Sequence, residues 1–223
     1  MSVEDILTRL ESLGQEKVRA HNLRYGALTP QFGVKLGDIR AIAKQLKTDH
    51  ALGERLWETG IIDARLLATL IMDPGKLSAD ALDVMVRSEH FSQVADWLYT
   101  HLIKPFPDNE SLRLAWIDDP HPMAARAGWS LTAGRIARQP EGIDLPGLLD
   151  RIDREFAQAH PSLQWTMNTT LANIGIHIPS LRERAIQIGE KWGVYRNFPV
   201  SKGCTSPFAP IWIREMVRRR EKS

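Results

Sequence analysis

The chain has 223 residues, 43% hydrophobic and 25% charged, with one cysteine and a formal net charge of +2. These values describe a globular chain able to bury a sizeable core, and they exclude a disordered or disulfide-stapled protein. No apolar run approaches the roughly 20 residues of a membrane helix, and the acidic, amphipathic start "MSVEDILTRLESLG" is neither a secretory nor a transit peptide, so a cytoplasmic location is expected.

Helical periodicity dominates from the first residues. "VEDILTRLESLGQEKVRAHNLRYG" puts Ile6, Leu10 and Leu13 on one face, and "LGDIRAIAKQLK" repeats the pattern with Ile39, Ile42, Ala43 and Leu46, with Asp38 placed to favour a helix N-terminus. Ten further helical segments follow: "HALGERLWETG", "DARLLATLIM", "SADALDVMVRS", "FSQVADWLYTHLI", "ESLRLAWIDD", "PMAARAGWSLTAGRIAR", "LPGLLDRIDREFAQA", "PSLQWTMNTTLANIGI", "SLRERAIQIGEKWG" and "PFAPIWIREMVRRRE". Short connections carry Gly, Pro, Asp or Asn, as in "MDPGKLS" and "FPDNES", and no stretch alternates like a strand. The pattern predicts an all-α fold in one domain, without linkers. Helix pairs recur about every 40 residues, the size of a HEAT-type repeat, and periodicity alone leaves a helical solenoid and an irregular bundle both open.

The closing stretch "VSKGCTSPFAPIWIREMVRRREKS" holds Cys204 just ahead of a helix start, with Ser206 as the expected N-cap and Pro207 in the first turn. A thiolate there has no recognisable base, so a small buried thiol in a tight turn is expected. Lys202, the Gly203 amide and the helix N-terminus together suit one phosphate. The terminal run "RRREK" reads as a solvated, cationic helix end. The seven histidines (His21, His50, His90, His101, His121, His160 and His177) show no metal-ligand spacing, and no phosphate loop, dinucleotide fingerprint or nucleophile elbow appears. No metal and no cofactor are expected.

Three stretches can carry chemistry. In "HFSQVADWLYTHLI", Asp96 lies between Val94 and Trp97; it is either a solvent-facing aspartate or a carboxylate beside aromatics, able to steady a cationic sugar and position a water. In "WIDDPHPMAARAGWSLTAGRIAR", Trp116 and Trp129 flank Arg126, and Arg135 and Arg138 follow at helical spacing; such arginines either bridge phosphates or are solvated. In "SLQWTMNTTLANIG", Asn168, Thr169 and Asn173 interrupt an apolar helix and need partners or face a ligand.

With "GVKLGDIRAIAKQL", "VADWL", "WIDDPHPMAARAGW", "QWTMNTTLANIG" and "KGCTSPFAPIWI" in this order, the chain resembles the AlkD-like DNA alkylation repair family of HEAT-like-repeat glycosylases over most of its length. The resemblance implies a right-handed helical solenoid of HEAT-like repeats with a concave face that binds double-stranded DNA. It implies excision of N3- and N7-alkylpurines without base flipping; a monomer is expected. In such a site a carboxylate and aromatic faces stabilise the oxocarbenium charge that develops as the already cationic base departs. Asp96 matches the family's catalytic aspartate and Arg126 its phosphate-contacting arginine. Of the family's two tryptophans, the one expected four residues before the aspartate is Ser92 here, with Phe91 or Trp97 as substitutes; the other falls on Trp165, Asn168 or Thr169, according to helix register. Arg135 and Lys202 complete the expected DNA contacts. The departure at Ser92 opens a second reading, a non-catalytic binder of distorted or branched DNA. A third, a protein-binding solenoid, predicts binding with little dependence on salt.

Overall fold

A computed structural model describes residues 1–27 and 30–222. Among them thirteen α-helices form and no strand, and packing groups the chain into two compact units, residues 1–109 and 110–223. None of these helices is long and apolar enough to cross a membrane.

The first unit contains α1 (Val3–Ser12), α2 (Glu16–Arg24), α3 (Leu36–Leu46), α4 (His50–Glu58), α5 (Ile62–Ile71), α6 (Ala79–Arg87) and α7 (Ser92–Leu98), which runs on into a π turn, Tyr99–Ile103. Helix α1 starts on a capping box: the Ser2 hydroxyl accepts from the Asp5 amide and the Asp5 carboxylate accepts from the Ser2 amide. Ile6 and Leu10 are fully buried, as their spacing predicts. The single amphipathic helix expected over residues 3–26 is two helices. It breaks at Gly14, where a Cβ would lie 2.6 Å from the Phe32 carbonyl oxygen, so the chain turns where another segment approaches its backbone.

Helix α5 is the hub of this unit, packing on α3, α4 and α7. Its buried face includes a carboxylate, Asp63, only 1% exposed. Asp63 accepts from the amides of Phe32 (2.6 Å), Gly33 (3.2 Å) and Val34 (2.7 Å), so one side chain satisfies three main-chain donors of the segment leading into α3.

The second unit receives α8 (Asn109–Trp116) and contains α9 (Pro122–Arg138), α10 (Leu145–Glu155), α11 (Pro161–His177), α12 (Arg182–Trp192) and α13 (Ala209–Arg220). The long helices α9 and α11 form its central pair. Trp129 is fully buried, and the Thr170 hydroxyl, itself buried, donates to its carbonyl at 3.1 Å. Beside it, a Cβ on Gly128 would sit 2.5 Å from the Ile117 nitrogen, so only glycine admits the chain that leaves α8. Helix α13 begins two residues later than the Ser206–Pro207 reading: Phe208 is its N-cap residue and Pro210 occupies the first turn. The Ser206 hydroxyl instead accepts from the Phe208 amide at 3.2 Å, shaping the turn before the helix. Cys204, expected to be buried, is exposed.

Asp63→Ala should lower unfolding free energy by about 3 kcal/mol, because three amides lose a buried acceptor. Asp63→Asn should fall between the two, since one amide oxygen replaces two carboxylate oxygens. Urea unfolding followed by far-UV circular dichroism measures both; equal stability of Asp63→Ala and wild type would remove this role.

Candidate nucleic-acid interface

In the first unit the candidate residue is Asp96, and a buried ion pair fixes the helix that carries it. Glu89, 4% exposed, accepts from the amides of His90 (2.8 Å) and Phe91 (2.7 Å), the main-chain donors that lead into α7. Arg65 holds Glu89 in place. Its Nη1 lies 2.9 Å from the carboxylate and 3.0 Å from the Ser88 carbonyl, and its Nε donates to the Trp57 carbonyl at 3.3 Å. Its guanidinium also lies over the Trp57 ring, 4.8 Å from the centroid. Past α7 the helix widens into the π turn, where the Thr100 hydroxyl donates to the Asp96 carbonyl at 2.7 Å.

On this braced helix Asp96 and Ser92 are both exposed, one turn apart on the same face. The aromatic neighbours face inward. Phe91 is 5% and Trp97 9% exposed, and the Trp97 ring carries the Arg40 guanidinium 4.7 Å from its centroid and His101 edge-on at 5.6 Å. Burial and then the Arg40 charge push the His101 imidazole below its usual range, keeping it neutral at physiological pH.

In the second unit α9 carries Arg126, 3% exposed, while Trp116 and Trp129 are core residues. Half-buried Trp165, on α11, meets the segment 193–208 that joins α12 to α13. Its ring lies 5.1 Å from Tyr195 and 5.8 Å from Phe198, and Tyr195 and Phe198 are 5.9 Å apart, edge-on or tilted in each pair. Tyr195 adopts a φ of 64°, in the left-handed region that a bulky residue rarely occupies. Burial pushes the Tyr195 phenol up, opposed by the charge of Arg126.

The other candidates fall elsewhere. The Asn168 amide is buried and donates to the Pro207 carbonyl at 2.9 Å, tying α11 to the entrance of α13. The Thr169 hydroxyl donates to the Trp165 carbonyl at 2.9 Å, and the Asn173 amide to the Thr169 carbonyl at 2.9 Å. Arg135 is engaged within the unit: it pairs with Glu110, its Nε donates to the Gln139 carbonyl at 3.2 Å and its Nη2 to the Glu141 carbonyl at 3.0 Å. Arg138 and Lys202 are exposed. At the C-terminal end Arg218 and Arg219 pair with Glu215, and Arg220 lies 3.1 Å from the His177 ring. Among the described residues no group of three or more His, Cys, Asp or Glu side chains could hold a metal ion. Tyr195, Phe198 and the Arg65–Glu89 pair were not singled out from sequence. For the aromatics, the available signal was "YRNFPVSKG", two aromatics and two cations in a connection much longer than its neighbours.

A family model described as DNA alkylation repair enzyme matches residues 6–198, and the chain belongs to that family. One solved structure, described as "a new family of proteins related to the HEAT-like repeat DNA glycosylases with affinity for branched DNA structures", is similar at a TM-score of 0.79 and 23% identity, over 99% of this chain and 95% of that one. That likeness shows the fold, a HEAT-like arrangement of helices. The comparison with curated proteins gives no match.

The Arg135 cluster has a pH consequence. Arg113 bonds Glu110 at 2.9 and 2.8 Å, and with Arg135 it holds the Glu110 carboxyl at about 2 against the opposing effect of burial. The folded-state value is depressed below the ordinary 4.5, so the stabilisation is present above pH 4.5 and is lost as pH falls toward about 2. Glu110→Gln should therefore flatten the acid limb of the stability curve in that window. Urea midpoints measured from neutral pH downward provide the comparison.

Proposed function

We propose that this member of the DNA alkylation repair enzyme family is a DNA-binding protein, that both units act as one functional domain, and that it recognises distorted or branched duplex by charge and shape. The observation that carries the reading is the exposed Ser92 one turn before the exposed Asp96, with Phe91 and Trp97 turned into the core. Phe91 and Trp97 are spent on the core rather than presented to a sugar cation, and the inherited fold retains its use in binding. The affinity of the similar solved protein for branched DNA agrees with this. Exposed Lys202 and Arg138 are the phosphate contacts of the proposal, and buried Arg126 acts as a fixed positive charge felt at Tyr195.

Excision of N3- and N7-alkylpurines is the second reading. The exposed Asp96 carboxylate favours it, because the Arg65–Glu89 pair fixes the helix that presents it.

Duplex affinity should fall with salt, with a slope of log K against log salt of about −2 for the two phosphate contacts, and Lys202→Ala should reduce that slope by about 1. Fluorescence anisotropy over a salt series reads both, and a salt-independent affinity would remove the DNA assignment. Release of free base from duplex carrying N7-methylguanine and N3-methyladenine, wild type beside Asp96→Asn, separates the two readings. No release with binding intact is expected; release by wild type and not by the variant would establish excision at Asp96.

A further inference from the structure

We infer that Phe198, backed by Trp165 and Tyr195, is a stacking platform for an unpaired nucleobase, the feature by which the protein tells a branched or forked duplex from an intact one. The inference rests on the DNA-binding reading and adds to it a site for single-stranded bases.

Four observations converge on the segment 193–208. It is a 16-residue connection between α12 and α13 without helix or strand, and such long segments are commonly functional. It presents large apolar side chains to solvent: Phe198 is 39% exposed and Val200 45%. Phe198 is nevertheless held, because its ring meets both Trp165 and Tyr195 within 6 Å. Tyr195 is held in turn with a φ of 64°, an arrangement that costs local energy and persists only where its surroundings impose it. The result is a supported aromatic edge rather than a collapsed one.

The charge around the edge suits nucleic acid. Arg126 lies buried close enough to Tyr195 to lower its phenol against the rise from burial. Arg196, paired with Glu190 at 2.9 Å, lies over the Phe208 ring at 4.6 Å, and Lys202 is exposed four residues after Phe198. An aromatic face bordered by cations is the arrangement that binds single-stranded nucleic acid with little sequence preference, since every base offers a π face and every nucleotide a phosphate. A paired base inside a duplex offers no free face, so the platform discriminates by strand pairing.

The test compares an intact duplex with a forked duplex of the same sequence carrying 2-aminopurine in its unpaired arm, against wild type, Phe198→Ala and Phe198→Tyr. Wild type and Phe198→Tyr should change the 2-aminopurine fluorescence on binding, and Phe198→Ala should not. Phe198→Ala should lose about tenfold in affinity for the fork. Its affinity for intact duplex and its salt slope should stay unchanged, because the ring carries no charge. A melting temperature close to wild type confirms that the variant is folded. A full fluorescence response from Phe198→Ala, or equal loss on forked and intact DNA, would overturn the inference while leaving DNA binding in place. Failure of wild type to bind either DNA would instead overturn the DNA-binding reading, and the inference with it.

Discussion

Among the described residues the chain is built from helices and has no sheet to absorb the polar groups of its connections. Each turn must find partners for its amides or leave them buried and unsatisfied. In the first unit two buried carboxylates meet this constraint. Asp63 receives three consecutive amides ahead of α3, and Glu89 receives two ahead of α7. Both act between helices, so they set where one helix ends relative to the next. Glu89 differs in being paired with Arg65, which also binds two carbonyls and covers the Trp57 ring. The exposed pair Ser92 and Asp96 inherits its position from that network. Removing either charge alone would leave the other buried, so the pair acts as a locked unit rather than as an added increment of stability.

The second unit uses its cations in the same way. Arg113 and Arg135 converge on Glu110, Arg151 pairs with Asp118 and Glu155, and Arg184 and Lys191 reach across to Asp150 and Asp153. A count of basic residues therefore overstates what remains for phosphates, and a net charge of +2 already allows little long-range attraction. Binding that rests on a few exposed cations gains more from stacking, which needs no net charge and does not weaken with salt.

The helical class, the succession of elements and most buried faces were legible in sequence, because an amphipathic period of 3.6 residues reports directly on which face meets the core. The misreadings share a different cause. Gly14 follows an apolar period that ends at Leu13, and the break there follows from the approach of the Phe32 backbone, a contact between segments that periodicity does not register. Ser206–Pro207 is a sound helix start by local rules, but Pro210 satisfies the same rules three residues later, and packing selects the later one. Trp97 sits beside Asp96 in sequence yet faces the core, since adjacent helical residues point about 100° apart. Asn168 is polar in an apolar helix for a reason outside that helix, the Pro207 carbonyl. Tyr195 and Phe198 lie in a segment with no period, where sequence offers composition but no direction.

The exchange at Ser92 separates what a fold keeps from what a reaction needs. Depurination of a cationic lesion asks little of a protein beyond a carboxylate and an aromatic wall, because alkylation has already weakened the glycosidic bond. In the proposed reading, Ser92 in place of an aromatic gives up part of that small contribution, while its exposed position leaves the buried face of the helix unchanged. In that reading the cost falls on catalysis rather than on folding. Such a chain keeps, in the proposed reading, a surface suited to DNA, and the Phe198 edge takes an unpaired base as its target in place of a modified one.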